Sequence, residues 1–488
     1  MKDYKLIKVL KKLSTSDLGK LRSFIDSPYF NFQNDNILFF NELLHVFNTD
    51  KIDYHLLWTS SQQSDFSDER LRKKLHECLL ITEKFLALEK ITNSSMALSK
   101  SLLDATVEKG IDELVPKALK NFDDALNDEK ALTFEYYAHR FHHFDSLINL
   151  TGDFERKIAM KKNRDSSEYM LKADRILNEI FLSEKLRLTH LLNNDNSVSN
   201  KDDKLTFVDE VQNFAQRTAR RGSKPYFYLQ LIELSEKEEN QKLIEIDKLH
   251  DYVSTKSTLF DFSEFRNIIL TLINEAIRLS NKGNKAADQL LFKLWQSGLK
   301  QNSFLVKDEM LTDTFRNICF NACKVGEYDW AIDFIENNKN RLNIKYRSSA
   351  VAFNKARVFI NQKDYEHVIE TLRDVEFDDI TYNLNTRLML LVSYYELDEI
   401  DALDSLIKSF NVYLRRKSNI SERRKSSFKN FNTTLQDIIR VKERRDKVKL
   451  KNIRKKLESK MIAPNKDWLL EKVEELEKQL GVESVVSR

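Results

Sequence analysis

Glycine and proline are scarce in this chain, and their scarcity constrains the fold more than any other feature of the sequence. The 488 residues include 8 glycines and 4 prolines, whereas average usage is about 7% glycine and about 5% proline. Glycine supplies the positive-φ positions of hairpin turns and of phosphate-binding loops. The composition therefore disfavours a Rossmann enzyme, a β-barrel and a β-sandwich, and the abundant lysine, glutamate and leucine favour long solvated helices.

The cysteines and the N-terminal segment bear on the compartment. Cys78, Cys319 and Cys323 are too few for a disulfide framework, which favours a reducing environment. The first residues mix charges with apolar side chains and lack the apolar core of a signal peptide. No apolar run approaches the roughly 18 residues of a membrane-spanning helix. We therefore expect a soluble cytoplasmic protein with no membrane partner.

Residues 1–95 are predicted to form a separate N-terminal helical domain. Ser14 and Asp17 have the spacing of a capping box, and Pro28 ends the helix that follows them. The stretch FIDSPYFNFQND (24–35) then connects two apolar helices. Its aromatic residues are expected to fill the gap between these helices, and a partner-docking loop is the alternative. These residues are Tyr29, Phe30 and Phe32.

The same domain also fits the helix order of a winged-helix DNA-binding protein. Such a reading requires basic side chains on the long helix that reach base edges. Four basic residues of this helix could contact base edges, although a solvated helix face accounts for their presence equally well. They are Arg70, Arg72, Lys73 and Lys74.

Residues 96–224 are predicted to be a middle helical segment in which the polar stretch 193–204 is a loop, and residues 225–416 carry an internal repeat. The strings GEYDWAI (326–332), KDYEHVI (363–369) and LDEIDAL (397–403) each close one helix and open another. Their small or branched positions are Ala331, Val368 and Ala402, separated by 37 and 34 residues. A helix–turn–helix period of about 34 residues is typical of tetratricopeptide repeats. The sequence predicts an all-α, tetratricopeptide-like α-solenoid, with a generic helical array as the alternative.

Several long strings resemble a family of uncharacterised all-helical proteins from Bacteroidota with tetratricopeptide-like repeats. The resemblance rests on SPYFN (27–31), EKLRL (184–188), GEYDWAIDFI (326–335) and the segment from DVEFDD to YLRR (374–416). It spans most of the chain. It implies an all-helical repeat fold and no particular activity.

Helical repeats bind partners in a groove lined by the first helix of each pair, and alignment to tetratricopeptide geometry predicts eight groove residues. This mixture of arginine and aromatic side chains is typical of interface hot spots. Phe320 stands where a carboxylate-clamping tetratricopeptide repeat has its first asparagine, so that clamp is not predicted. The groove residues are Arg316, Phe320, Lys324, Phe353, Arg357, Arg387, Tyr394 and Tyr395.

Residues 417–488 are predicted to be a basic C-terminal helical extension. Between residues 415 and 460 the chain carries 18 lysines and arginines against 5 acids. A field of this sign attracts nucleic acid or an acidic protein, and a merely solvated helix is the alternative. The final helix is expected to cap the array, and pairing with another chain is less favoured. Its capping stripe comprises Trp468, Leu469, Val473, Leu476 and Leu480. The basic patch comprises Arg415, Arg416, Lys417, Arg423, Arg424 and Lys425.

No catalytic motif of a familiar enzyme class occurs in the sequence, and no cofactor is predicted. Glu135, His139, His142 and His143 share one helical face, but one helix rarely supplies a complete metal site. We therefore predict no metal and interpret these histidines as packing and surface residues. The first functional hypothesis is a non-enzymatic scaffold that binds a protein or peptide in the repeat groove. The second is a nucleic-acid-binding regulator that uses the N-terminal helices or the basic segment.

Overall fold

The computed structural model describes most of the chain, and the described residues are almost entirely helical. It covers residues 4–30, 34–49, 52–62, 65–129, 133–152, 166–199, 201–256, 259–373, 375, 380–459 and 461–481. Within these ranges the strands are β1 (Leu305–Val306) and β2 (Glu309–Met310), which form a small antiparallel hairpin. The predicted all-α class is confirmed.

The chain divides into two compact units, which are described separately. Unit 1 comprises Met1–Glu233 and Lys256–Asp261, and unit 2 comprises Leu234–Thr255 and Phe262–Arg488.

Unit 1 begins with five helices that pack around one apolar core. The long helix α5 is central, because α1, α2 and α3 all contact it. The core includes Phe39, Phe40 and Trp58. The predicted capping box is confirmed: Ser14 Oγ accepts from the Asp17 amide at 3.1 Å, and the Ser14 amide donates to the Asp17 carboxylate at 3.2 Å. The helices are α1 (Lys5–Leu10), α2 (Thr15–Ile25), α3 (Asn34–Val46), α4 (Tyr54–Ser61) and α5 (Asp68–Thr92).

The remaining helices of unit 1 pack mainly on their neighbours in sequence, and α8 lies along α9. The polar stretch 193–204 was expected to be a loop, but α9 continues to Ser199. That expectation was wrong for the first residues because the preceding helix propagates through them. The helices are α6 (Ser95–Glu108), α7 (Val115–Asp128), α8 (Phe134–Gly152), α9 (Ser166–Ser199), α10 (Val208–Thr218) and α11 (Lys224–Glu233).

The described part of the stretch at 24–35 places a turn after α2, as predicted, but its aromatic residues differ in role. Phe30 stacks on Phe24 with ring centroids 4.1 Å apart. The side chain of Tyr29 is 77% exposed, so it does not fill the gap between helices. Phe32 lies outside the described residues. The tight turn after α2 turns Tyr29 outward while Phe30 takes the packing position.

Unit 2 consists mainly of helix pairs joined by short turns. The first helices of three consecutive pairs contact one another in sequence, α15 with α17 and α17 with α19. The last three helices form their own cluster against α20. The helices are α12 (Glu239–Thr255), α13 (Phe262–Asn281), α14 (Lys285–Lys300), α15 (Thr312–Lys324), α16 (Tyr328–Asn338), α17 (Ile344–Asn361), α18 (Tyr365–Leu372), α19 (Ile380–Glu396), α20 (Ile400–Arg416), α21 (Glu422–Arg444), α22 (Lys447–Glu458) and α23 (Lys466–Leu480).

Four helix pairs of unit 2 share one turn geometry. In each, a left-handed residue follows the first helix, and the next amide donates to the carbonyl five residues earlier, which is the Schellman arrangement. Glycine occupies the left-handed position in two of these turns, whereas lysine and aspartate occupy it in the others. The φ angles are 89° at Gly283, 85° at Gly326, 61° at Lys363 and 59° at Asp398.

The shared turn corrects the register of the third predicted repeat. Counting five residues from the left-handed position reaches Ala331, Val368 and Leu403, and all three are fully buried. Ala402, which the sequence alignment placed there, is only half-buried. A small residue is therefore not required at this position, because the branched Val368 and the larger Leu403 are accommodated there.

Candidate binding cleft

A cleft of about 580 Å³ lies in unit 2. Its walls come from α15, α17 and α19, from the start of α18 and from the first turns of α23. The lining combines aromatic rings, apolar side chains and polar or charged groups. The lining residues are Phe320, Arg357, Ile360, Asn361, Lys363, Tyr365, Asn385, Leu388, Met389, Val392, Asn465, Asp467, Trp468 and Glu471.

Arg357 is the central charged group of this cleft. Its guanidinium carbon lies 5.0 Å from the ring centroid of Phe320 and 5.1 Å from that of Phe353. Its Nε is buried and has no hydrogen-bond partner among the described residues. Burial lowers the pKa of this guanidinium, and neighbouring Arg316 lowers it further. Arginine nevertheless stays protonated in proteins, so the cleft contains a cation held between two rings.

Helix α23 forms one wall of the cleft through Trp468 and Glu471. The indole Nε1 of Trp468 donates to Glu396 at 2.7 Å, and Lys472 lies 2.9 Å from the same carboxylate. At the cleft, Lys363 Nζ lies 3.7 Å from Glu471. These contacts fix α23 on the end of α19, where it also packs on α21 and α22. The predicted capping stripe is thus largely buried, through Leu469, Val473 and Leu476.

Two of the eight predicted groove residues line the cleft, namely Phe320 and Arg357. Phe320 is 49% exposed. Phe353 is fully buried and Tyr395 nearly so, so both belong to the core and their assignment to an open groove was wrong. Burial raises the pKa of Tyr395 to about 12. Tyr394 is half-buried and packs against the same core as Tyr395.

Three further predicted groove residues make contacts within the protein. Lys324 Nζ lies 2.8 Å from the buried carboxylate of Asp288 and donates to Ser280 Oγ at 2.9 Å, so it is a structural ion pair and not a groove residue. Arg316 lies 2.9 Å from Asp313. The Arg387 guanidinium carbon lies 4.9 Å from the Tyr413 ring and 5.7 Å from the Phe410 ring.

Sequence reasoning missed most of the residues that line the cleft. Leu388, Met389 and Val392 follow one another on the face of α19 that meets α17, and Trp468 comes from a helix that is distant in sequence. The repeat period predicted that the first helix of each pair lines the groove, but it did not predict which face of that helix does so. Trp468 was predicted as a capping residue, and only the fold brings it into the same cleft as Arg357.

The basic patch is uneven in exposure. Arg415, Arg416, Lys417 and Arg423 are exposed. Arg424 is half-buried and its guanidinium lies 3.4 Å from Thr381 Oγ1. Lys425 is buried and its Nζ lies 2.8 Å from Glu422. The prediction that Lys425 lies on an open surface was therefore wrong, because it lies on the buried face of α21.

The basic residues proposed for a winged-helix reader also differ in exposure. Lys74 Nζ donates to Asn36 Oδ1 at 2.7 Å in a part-buried position, and Arg70 donates to the Asp65 carbonyl at 3.0 Å. Arg72 and Lys73 are the more available pair. No strand occurs among the described residues of the first 95, so the structure provides no wing there.

The histidine face of α8 is dispersed over separate contacts. His142 Nε2 lies 2.8 Å from Asp104, and the buried His143 has its Nε2 3.7 Å from Asp123. His139 Nδ1 lies 2.7 Å from the carbonyl oxygen of Glu135. The four residues therefore do not converge on one point, in agreement with the packing interpretation.

Within the described residues, the one cluster with metal-ligand composition is Asp247, His250 and Asp251 on α12. Lys293 Nζ already lies 2.7 Å from Asp247 and 2.9 Å from Asp251. The ammonium group thus neutralises both carboxylates. Cys319 and Cys323 are buried, and burial raises the pKa of Cys323 to about 11, which is the opposite of an activated thiol.

No family model, curated protein or solved structure matches this chain. Among the described helices, none combines the length and apolar character that crossing a bilayer requires.

Proposed function

We propose that this chain is a non-enzymatic interaction scaffold that binds an extended segment of a protein partner in the cleft of unit 2. The observation that carries the proposal is the Arg357 guanidinium, held between Phe320 and Phe353 without an ion-pair partner among the described residues. Arginine and aromatic residues dominate the hot spots of protein interfaces. A part-buried cation without a counter-charge costs stability, and binding a partner offsets that cost.

The proposal includes a tetratricopeptide-like arrangement of α13 to α20. It is supported by the four identical turns, by contacts between successive first helices and by spacings of 37 and 35 residues between Ala331, Val368 and Leu403. In such an array, successive first helices line a continuous groove, and each pair covers the apolar face of the next. We also propose membership of the Bacteroidota family that the sequence resembles.

Replacing Phe320 with glutamate is expected to weaken partner binding. The new carboxylate would sit beside Arg357 and neutralise it, and the exposed ring would be lost. We would select peptides from a random displayed library on the immobilised full-length protein and measure their affinity by calorimetry. Phe320→Glu should weaken binding by at least about tenfold, as expected for an interface hot spot.

Leu311→Glu is the matched control. Leu311 is 61% exposed, directly precedes the same helix α15 and lies outside the cleft. It introduces the same charge and should leave affinity unchanged. Equal loss in both variants, or a library that yields no binder, would count against the cleft as the partner site.

A second candidate function is nucleic-acid binding by the basic extension. The observation that favours it is a stripe on α22 formed by Lys447, Lys451 and Lys455, which are exposed at successive turns. None of the three lies within 4.0 Å of a carboxylate among the described residues. A stripe of unpaired cations matches the regular charge of a phosphate backbone.

Charge reversal of this stripe tests the second function. If α22 binds phosphates, Lys447→Glu, Lys451→Glu and Lys455→Glu together should weaken binding to a short DNA duplex or single-stranded RNA by more than about tenfold. The slope of log affinity against log salt should fall by about 2–3. The control reverses three exposed lysines of unit 1, Lys109, Lys117 and Lys120, and keeps the same net charge. Equal loss in both triple variants would indicate a nonspecific charge effect.

A further inference from the structure

Resting on the proposed function, we infer that the cleft recognises a carboxylate group of its peptide partner, through the guanidinium of Arg357. The partner chemistry is a single negative charge next to an apolar side chain. The carboxylate comes from either the chain end or an aspartate or glutamate side chain, and the test below separates these sources.

The first support is the state of the Arg357 guanidinium. The ring centroids of Phe320 and Phe353 lie 5.0 and 5.1 Å from its central carbon, and these contacts hold the side chain in place. The guanidinium carries its N–H donors in a rigid planar fork, and because Nε is buried, the donors that face a ligand are those of the two terminal nitrogens. A planar edge of N–H donors matches a carboxylate in a bidentate arrangement. The two rings therefore hold a cation at the cleft, and no described residue supplies an anion that pairs with it.

Arg387 provides an internal comparison. It is also held by two rings, those of Phe410 and Tyr413, but its Nε donates to Asn383 Oδ1 at 2.9 Å. It does not line the cleft. Arg357 differs in two respects, because its Nε has no partner among the described residues and its side chain borders an open volume.

The charges elsewhere in the cleft favour a monoanion over a phosphate. Lys363, the other cation of the lining, is already close to Glu471 at 3.7 Å. Asp467 and Glu471 add negative charge on the α23 wall. A phosphate group carries nearly two charges at neutral pH, which the one unpaired guanidinium of the lining would balance only in part. A carboxylate carries one charge and is balanced by Arg357 alone.

The remaining lining fits a peptide chain. The half-exposed ring of Phe320 and the half-buried Trp468 offer apolar surface to one side chain, and Leu388, Met389 and Val392 line the cleft as buried core residues. Asn361 and Asn385 each donate their amide nitrogen to a carbonyl of their own helix, at 2.7 and 2.8 Å. Each is thereby fixed in position, and its Oδ1 accepts no hydrogen bond from the described residues. These oxygens can accept from the backbone amides of an extended peptide.

The test uses three pools of fluorescent random peptides and the full-length protein. The first pool has free C-termini and no aspartate or glutamate. The second has amidated C-termini and one aspartate or glutamate in each peptide. The third is amidated and contains no acidic residue. Binding to wild type, Arg357→Met, Arg357→Lys and the matched control Arg387→Met is measured by fluorescence polarisation.

We expect the first or the second pool to bind wild type about 10- to 100-fold more tightly than the third, the range for a charged hydrogen-bonded contact. The pool that binds identifies the source of the carboxylate. Arg357→Met should remove this preference, Arg357→Lys should retain part of it, and Arg387→Met should leave it intact.

Equal binding of all three pools would overturn carboxylate recognition while leaving the peptide-binding function standing. Absence of binding by every pool would overturn both. Because the comparison between pools uses wild-type protein, it does not depend on how the variants fold. Thermal unfolding of each variant shows whether a lost preference reflects a lost fold.

Discussion

Phe353→Ala is expected to lower the free energy of unfolding of unit 2 by about 3–5 kcal/mol, the usual loss for a buried phenylalanine. The side chain is 0% exposed. It packs with Ala356, Val368 and Leu372 and meets the ring of Tyr382 edge-on at 4.5 Å between centroids. Truncation would leave a cavity where three helices meet, and the surrounding side chains can collapse into it only in part.

Denaturant unfolding followed by tryptophan fluorescence would measure this loss, because three of the four tryptophans lie in unit 2. Phe320→Ala is the matched control, since it removes the other ring beside Arg357 from a half-exposed position. It should cost about 1 kcal/mol or less. Equal losses for the two substitutions would show that Phe353 is not the core residue described here.

Lys324→Met is expected to lower the free energy of unfolding by about 2–3 kcal/mol. It leaves the carboxylate of Asp288, which is 5% exposed, with Ser280 Oγ at 2.5 Å and without a counter-charge. Removing one partner of a fully buried ion pair costs about 3–5 kcal/mol. Lys324 itself is partly exposed, so solvent screening reduces the effect.

A double-mutant cycle isolates this pair. Adding Asp288→Asn to Lys324→Met removes the unpaired charge and should recover part of the lost stability. Chemical denaturation of the four proteins gives the coupling free energy. A stable Lys324→Met protein with weakened peptide binding would contradict the structural role and return Lys324 to the binding surface.

Local features of the fold were predictable because neighbouring residues determine them. The capping box of Ser14 and Asp17 and the turn at Gly326 are both readable from short strings of sequence. The turns at Lys363 and Asp398 were found through the pattern around them. Their left-handed conformation was not predicted, since neither residue is a glycine and the cost of this conformation is offset by the flanking helices.

The cleft was harder to predict because it depends on helix rotation and on distant contacts. Phe320 and Val392 occupy the same place in their repeats, six residues before the left-handed residue of the turn, yet one is half-exposed and the other is buried. Their difference arises from the helices packed on either side, which the repeat period does not specify. Lys324 was similarly predicted to be a groove cation. Its partner Asp288 lies 36 residues earlier, and the repeat pattern does not show that the fold buries this carboxylate beside Lys324.

Hydrogen–deuterium exchange of the full-length protein, with and without a selected peptide, tests the central claim most directly. Binding in the cleft predicts slower exchange in Thr312–Lys324, Ile344–Asn361 and Ile380–Glu396, and in the first turns of Lys466–Leu480. Phe320→Glu should reduce this protection. Protection confined to Lys447–Glu458 or to unit 1 would contradict the account and move the binding surface to the basic extension or the N-terminal helices.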